Sequence, residues 1–213
     1  MFSVQLLTQA AVNGVLLGGV YALLALGLNL LFGVVRIAFL AYGDLVMLGM
    51  YIIYLLTTFG GVPLGISALV AVVSLALLGM VVHQLIIDPI LDRPGVNQLL
   101  ATGGLLVFLE NLALVLWGAD YRTLYVSLPR LQIGGLFISA VQLITFGGAL
   151  VTLALLYLFL TRTFVGTAIR AVAQDREGVE LMGVNPRLVY LITAGLGGAL
   201  AGVVSVFFAL QYS

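Results

Sequence analysis

Cysteine is absent from the 213 residues, and so is lysine: all eight basic side chains are arginine. Without cysteine no disulfide framework, thiolate metal site or thiol nucleophile can form. Without lysine there is no P-loop, because that motif needs a Lys to reach the β and γ phosphates. Any dependence on ATP must therefore come through a partner chain. A single histidine cannot build a multi-histidine metal centre, so no metal site is expected. Charge is equally scarce: eight acidic and eight basic residues make up 8% of the chain, where a soluble domain carries roughly 25%. The net charge of zero leaves no footprint for a phosphate backbone and excludes nucleic acid as a partner.

What the chain has instead is apolar side chains, 63% of its residues. No water-facing globule can hide that much apolar surface behind sixteen charges. Windows of about 20 residues, the length that crosses a hydrocarbon core of roughly 30 Å as a helix, divide the sequence into six candidate spans. They run from Gln9 to Gly33, Ile37 to Thr58, Val62 to Ile87, Leu99 to Gly118, Leu136 to Leu160 and Leu188 to Leu210. The runs are continuous rather than alternating, which predicts helices and not the strands of a membrane barrel. The fold class expected is thus all-α: a polytopic bundle in lipid, one domain over residues 1–213, with about six transmembrane helices. The first charge, Arg36, follows a 25-residue apolar run, so that run reads as a retained span and not as a signal peptide.

Arginine collects on the cytoplasmic side of spans. With the amino terminus outside, Arg36, Arg93, Arg162, Arg170, Arg176 and Arg187 fall on the inner side, and Arg122 and Arg130 on the outer. Tyr157 and Arg162 read as interfacial anchors, with Arg162 snorkelling to the surface. Small residues let helices approach closely in lipid. The Gly14/Gly18 step and the row of Gly195, Gly198, Ala199 and Gly202 predict either a compact bundle or a tight dimer interface.

Seven of the sixteen charges lie between Thr161 and Arg187. Within that stretch Ile169, Val172, Ala173, Val179 and Met182 recur at helical spacing, predicting one short amphipathic helix over 166–184 on the cytoplasmic face. Gly183 would end it, and Asn185 followed by Pro186 would open the next span. One reading is a solvated loop helix whose arginines only fix topology. The other is a docking element for a cytoplasmic partner, since an apolar stripe rimmed by both signs of charge suits a groove.

The stretch Gly166-Thr-Ala-Ile-Arg-Ala-Val-Ala-Gln-Asp-Arg-Glu-Gly-Val-Glu-Leu-Met-Gly-Val-Asn resembles the cytoplasmic coupling segment of the branched-chain amino acid ABC transporter permease family. Leu99-Leu-Ala-Thr-Gly-Gly-Leu with Glu110-Asn111 and Trp117-Gly118, and Ala41-Tyr-Gly-Asp-Leu with Leu48-Gly49-Met-Tyr51, resemble two further stretches of that family. The resemblance runs from about Val12 to Leu210. It implies a permease subunit that pairs with a second permease, identical or paralogous, receives solute from an extracytoplasmic binding protein, and is driven by cytoplasmic ATPase subunits that hold the ATP and magnesium. This chain would need no cofactor of its own, and would sit, surrounded by lipid, in a bacterial or archaeal cytoplasmic membrane. The coupling residues so implied are Gly166, Ile169, Arg170, Ala171, Val172, Asp175, Arg176, Val179, Glu180 and Gly183. Arg170, Asp175, Arg176 and Glu180 would make polar contacts with the ATPase groove, and Ile169, Val172 and Val179 would supply apolar knobs. The sequence departs from the family at Phe39, Tyr42 and Glu110, where Asn, His and Gln are frequent. Family members also carry further spans after the coupling segment, so a C-terminally truncated unit is expected.

Two formal charges, Asp44 and Glu110, lie inside the apolar runs, Asp44 about a third of the way along the second. Ionisable groups at that depth cost roughly 2.5 to 3.5 kcal/mol on insertion scales and by default face protein or water. With Asn29, Tyr42 and Asn111 they could line a translocation path, if the first, second and fourth spans are neighbours. The plain alternative is a set of hydrogen-bonded structural groups. His83 reads as a capping or interfacial residue. A competing function is an ion- or proton-coupled secondary transporter with Asp44 and Glu110 as coupling carboxylates. No motif of an intramembrane enzyme stands out.

Overall fold

The computed structural model describes residues 4–120, 130–133 and 136–212. All six apolar runs form helices: α1 (Val4–Val35), α2 (Tyr42–Thr58), α3 (Leu64–Val82), α4 (Gly95–Trp117), α5 (Ala140–Arg162) and α8 (Pro186–Gln211). Between α5 and α8 lie two short helices, α6 (Phe164–Gln174) and α7 (Arg176–Leu181). A hairpin of β1 (Arg130–Ile133) and β2 (Leu136–Ser139), antiparallel with Arg130 opposite Ser139, precedes α5. The expected Arg122 lies outside the described residues.

Breaks fall where the backbone is forced out of the helical region. Pro63 and Pro94 hold extended dihedrals just before α3 and α4, since proline can open a helix but not continue one. Gly118 and Gly183 take positive φ after α4 and α7.

The second apolar run does not form the full span expected from Ile37. Arg36 adopts a left-handed φ of 60°, residues 37–39 follow without helix, and α2 begins only at Tyr42. Its 17 residues reach about 26 Å at 1.5 Å per residue, so five helices, not six, are long and apolar enough to cross a bilayer by length and composition. Irregular backbone at membrane depth is tolerated only where protein covers it. Here Ile37, Phe39 and Ala41 are buried, and the Ala38 carbonyl accepts a hydrogen bond from Thr102 Oγ1 at 3.0 Å. Thr102 sits about two turns into α4, so the break lies within the bundle.

The most buried helix is α8, which packs chiefly against α3 and also meets α1, α2, α5 and α6. Its small residues explain this position. A Cβ at Gly198 would overlap the Leu75 carbonyl of α3, and one at Gly202 would meet the Val72 backbone. The row Gly195, Gly198 and Gly202 thus serves a contact within the chain. A Cβ at Gly14 or Gly18 would meet nothing within 4 Å among the described residues. Around α8 the core gathers Val20 and Leu23, Leu45 and Val46, Leu75, Ile169 and Val172, and Leu200 and Val204. Several threonine and serine hydroxyls in the spans return to their own helix, as Thr193 does to the Val189 carbonyl at 2.7 Å, which removes the cost of an unpaired polar group in lipid.

One end of the bundle holds the end of α1, the α3–α4 link, the end of α5, and all of α6 and α7. Arg36 reaches α6 there, and Arg176 and Arg187 reach Asp92 and Asp88 of the α3–α4 link. All six arginines assigned to the inner side therefore share one end, as expected.

Candidate functional site

The charged segment is two helices, not one. Thr163 caps α6, its hydroxyl accepting from Gly166 N at 3.0 Å. Asp175 leaves the helical region, with φ −146° and ψ 99°, and caps α7 by accepting from Gly178 N at 3.0 Å. An Asp at that place competes for the backbone and starts a new helix instead of extending the old one. Asn185 repeats the device at α8, accepting from Arg187 N ahead of Pro186.

The apolar stripe faces inward. Ile169 and Val172 are 1% and 2% exposed and belong to the core of this chain, with Val179 packed against it from α7. Ile169 and Val172 are therefore not available as knobs for a partner, while Val179 stays partly exposed. The reason is positional: α6 lies against α1, α5 and α8, and its stripe closes the bundle end. Gly166 permits that seat, because any Cβ there would run into the backbone of Phe159 and Leu160 in α5. Ala171 is half-buried.

The polar residues divide in the same way. Asp175 is occupied as a cap, and Arg176 pairs with Asp92 at 3.4 Å while lying over the Tyr190 ring, 5.8 Å from its centroid. Arg170, Glu177, Glu180 and Gly183 face outward. So do three large apolar side chains, Phe164, Leu181 and Met182, at 83%, 90% and 85% exposure. Met182 was expected on one stripe with Ile169 and Val172. It departs because α7 ends at Leu181 and the chain turns through Gly183 at φ 85°. A solvent-facing Leu-Met pair beside two carboxylates suits an interface more than a water-exposed loop.

The membrane residues also separate. Tyr42 is buried and donates from its hydroxyl to the Gly197 carbonyl of α8 at 3.1 Å. Gly27 of α1 leaves room for that hydroxyl. It is a pin between helices and not a lining residue. Asp44 stands in the first turn of α2, where the helix dipole favours a negative charge, instead of a third of the way into a span. One of its oxygens, Oδ2, is enclosed without a hydrogen-bond partner among the described residues. Helix α2 packs on α4, which carries Glu110 within electrostatic range of Asp44. About two turns further along both helices, Tyr51 of α2 stacks on Trp117 of α4, with ring centroids 4.3 Å apart. Glu110 and Asn111 are exposed on α4, and Asn111 Nδ2 donates to the Val107 carbonyl of its own helix at 2.7 Å. Asn29 is exposed on α1 and shares no hydrogen bond with the others among the described residues.

His83 stands at the C-cap position of α3, its backbone N–H donating to the Gly79 and Met80 carbonyls, but it is not interfacial. It is 2% exposed, opens a π-helical turn over His83–Ile87, and meets Tyr190 edge to face at 6.4 Å. Sequence reasoning also missed Asp88 and Asp92 as partners of Arg187 and Arg176, and Arg36 as the contact of α6. Only the lone position of Arg36 between two apolar runs hinted at it.

The family model described as branched-chain amino acid transport system/permease component matches residues 10–213. The high-affinity branched-chain amino acid transport system permease protein BraD of Pseudomonas aeruginosa is 27% identical over 218 residues, covering 96% of this chain and 71% of that protein. The permease proteins LivH of Escherichia coli and of Salmonella typhimurium are 24% and 26% identical, with the same coverage of 96% and 71%. No solved structure matches the chain significantly. A multi-pass helical bundle with a charged, capped helix pair at one end, matched over residues 10–213, belongs to the family of permease components of branched-chain amino acid transport systems.

Proposed function

We propose that this chain is a transmembrane subunit of an ABC importer for branched-chain amino acids. The substrate class follows from its relatives, permease proteins of high-affinity branched-chain amino acid transport systems. In this reading it joins a second permease in the cytoplasmic membrane, takes solute from an extracytoplasmic binding protein, and is driven by cytoplasmic ATPases that bind ATP and magnesium. The observation that carries it is the α6–α7 pair: an inner face fixed to the bundle and an outer face of Leu181, Met182, Arg170, Glu177 and Glu180 left open.

Closure of the ATPases on nucleotide would push on that outer face. Because α6 is seated through Ile169 and Val172, and α7 is braced by Arg176 to the α3–α4 link, the push reaches the bundle as a rigid displacement. Asp44 of α2 and the exposed Glu110 of α4 form an acidic patch complementary to the ammonium group of a zwitterionic solute. Tight binding there is unnecessary, since selection belongs to the binding protein and a pathway must also release.

The test is uptake of radiolabelled L-leucine by cells or proteoliposomes holding the complete transporter. Uptake should require ATP and persist when proton and sodium gradients are dissipated. Loss of uptake on gradient dissipation, with ATP still present, would instead favour a secondary transporter using Asp44 and Glu110. Arg170→Glu should insert normally and fail to transport; normal uptake by that variant would remove Arg170 from the coupling surface.

A further inference from the structure

Among the described residues, Arg36 is the only one other than glycine with positive φ, at 60°. That conformation is unfavourable for a residue with a Cβ, and glycine is its ordinary occupant. The chain has 26 glycines, yet an arginine stands here, which directs attention to its side chain. Its guanidinium donates to the carbonyl of Ala173 at 3.2 Å. Ala173 lies in the last turn of α6, where carbonyls lack partners within the helix and the dipole favours a cation. Arg36 therefore caps the end of α6 from a distance of 137 residues in sequence.

The other end of this connection is equally well held. From Arg36 the backbone runs through buried Ile37, Phe39 and Ala41, is fastened to α4 at Ala38, and enters α2 at Tyr42, itself pinned to α8. Asp44 follows in the first turn. A short, gripped segment with little slack thus joins the end of α6 to the start of the helix that carries the acidic patch.

We infer that Arg36 is a positioning residue that transmits displacement of the α6–α7 pair to α2. This rests on the reading of α6–α7 as the ATPase-facing surface. The native complex, purified through a tag on this chain, provides the test. The chain has no cysteine, and Gly43 is exposed at the start of α2 with open space for a side chain, so Gly43→Cys makes a single reporter. Its maleimide labelling rate is measured with and without magnesium, ATP and vanadate. Arg36→Gly keeps the left-handed backbone and removes the guanidinium; Arg36→Lys restores a charged donor. Should the glycine variant fail to accumulate, Arg36→Gln is read in its place.

The reporter in the otherwise unaltered chain should change rate on nucleotide trapping. Arg36→Gly should lose that change while ATPases still co-purify and hydrolyse ATP at the parent's basal rate, and Arg36→Lys should recover part of it. A nucleotide response unaltered in Arg36→Gly, or absent from the parent, overturns the transmission role alone. Failure of any ATPase to co-purify with the parent overturns the docking reading and the inference with it.

Discussion

The two short helices at the charged end, α6 and α7, divide their apolar residues differently, although Phe164 of α6 is exposed and Val179 of α7 packs against the core. Helix α6 turns Ile169 and Val172 into the core, whereas the end of α7 leaves Leu181 and Met182 in solvent. One sequence segment with one apparent stripe has thus divided into a seat and a contact. The divider is Asp175, whose carboxylate caps α7 and breaks the phase of the helix. Burial in the chain's own core is as good a use of an amphipathic face as binding a partner, and only the geometry tells the two apart.

Substitutions should separate seat from contact. The largest expected effect is at the seat: Ile169→Asp places an unpaired charge in the core, at a cost of roughly 3 to 5 kcal/mol, and should abolish folded protein by size-exclusion profile and thermal melting in detergent. Ile169→Ala is gentler, about 2 to 5 kcal/mol for loss of packing, read as a lower Tm. Asp175→Ala removes the cap and should cost about 1 kcal/mol, with transport falling further than stability because α7 loses its start. Arg176→Gln breaks an exposed ion pair and should shift stability by no more than about 1 kcal/mol. Leu181→Asp should leave the melting curve unchanged while ATPase co-purification is lost. A destabilised Leu181→Asp would place that residue in the core and erase the contrast.

Much of this was legible beforehand, and the failures share a cause. Six apolar runs, the grouping of six arginines at one end, and the small-residue face of α8 follow from composition and spacing, because lipid leaves the chain few alternatives. The break at 36–41 was not legible: Arg36, Ile37 and Phe39 carry no glycine or proline to announce a left-handed turn. Its support comes from Thr102 and Ala173, 64 and 137 residues away. Tyr42 looked like a path residue for the same reason, since its hydroxyl partner is a backbone carbonyl of α8 that no side-chain pattern displays. Asp44 and Glu110 stood out in the sequence as charges within apolar runs, but the position of Asp44 in the first turn of α2 and the packing of α2 on α4 did not.

The most direct measurement compares single cysteines at the two helices in this cysteine-free chain. Leu181→Cys and Ile169→Cys are each treated with a membrane-impermeant maleimide, with and without the ATPase subunits bound. Leu181→Cys should label readily in the permease alone and be protected in the complex, while Ile169→Cys stays unlabelled in both. Labelling of Leu181→Cys that is indifferent to the ATPases, or of Ile169→Cys in the permease alone, would contradict the assignment of α6 as seat and α7 as contact.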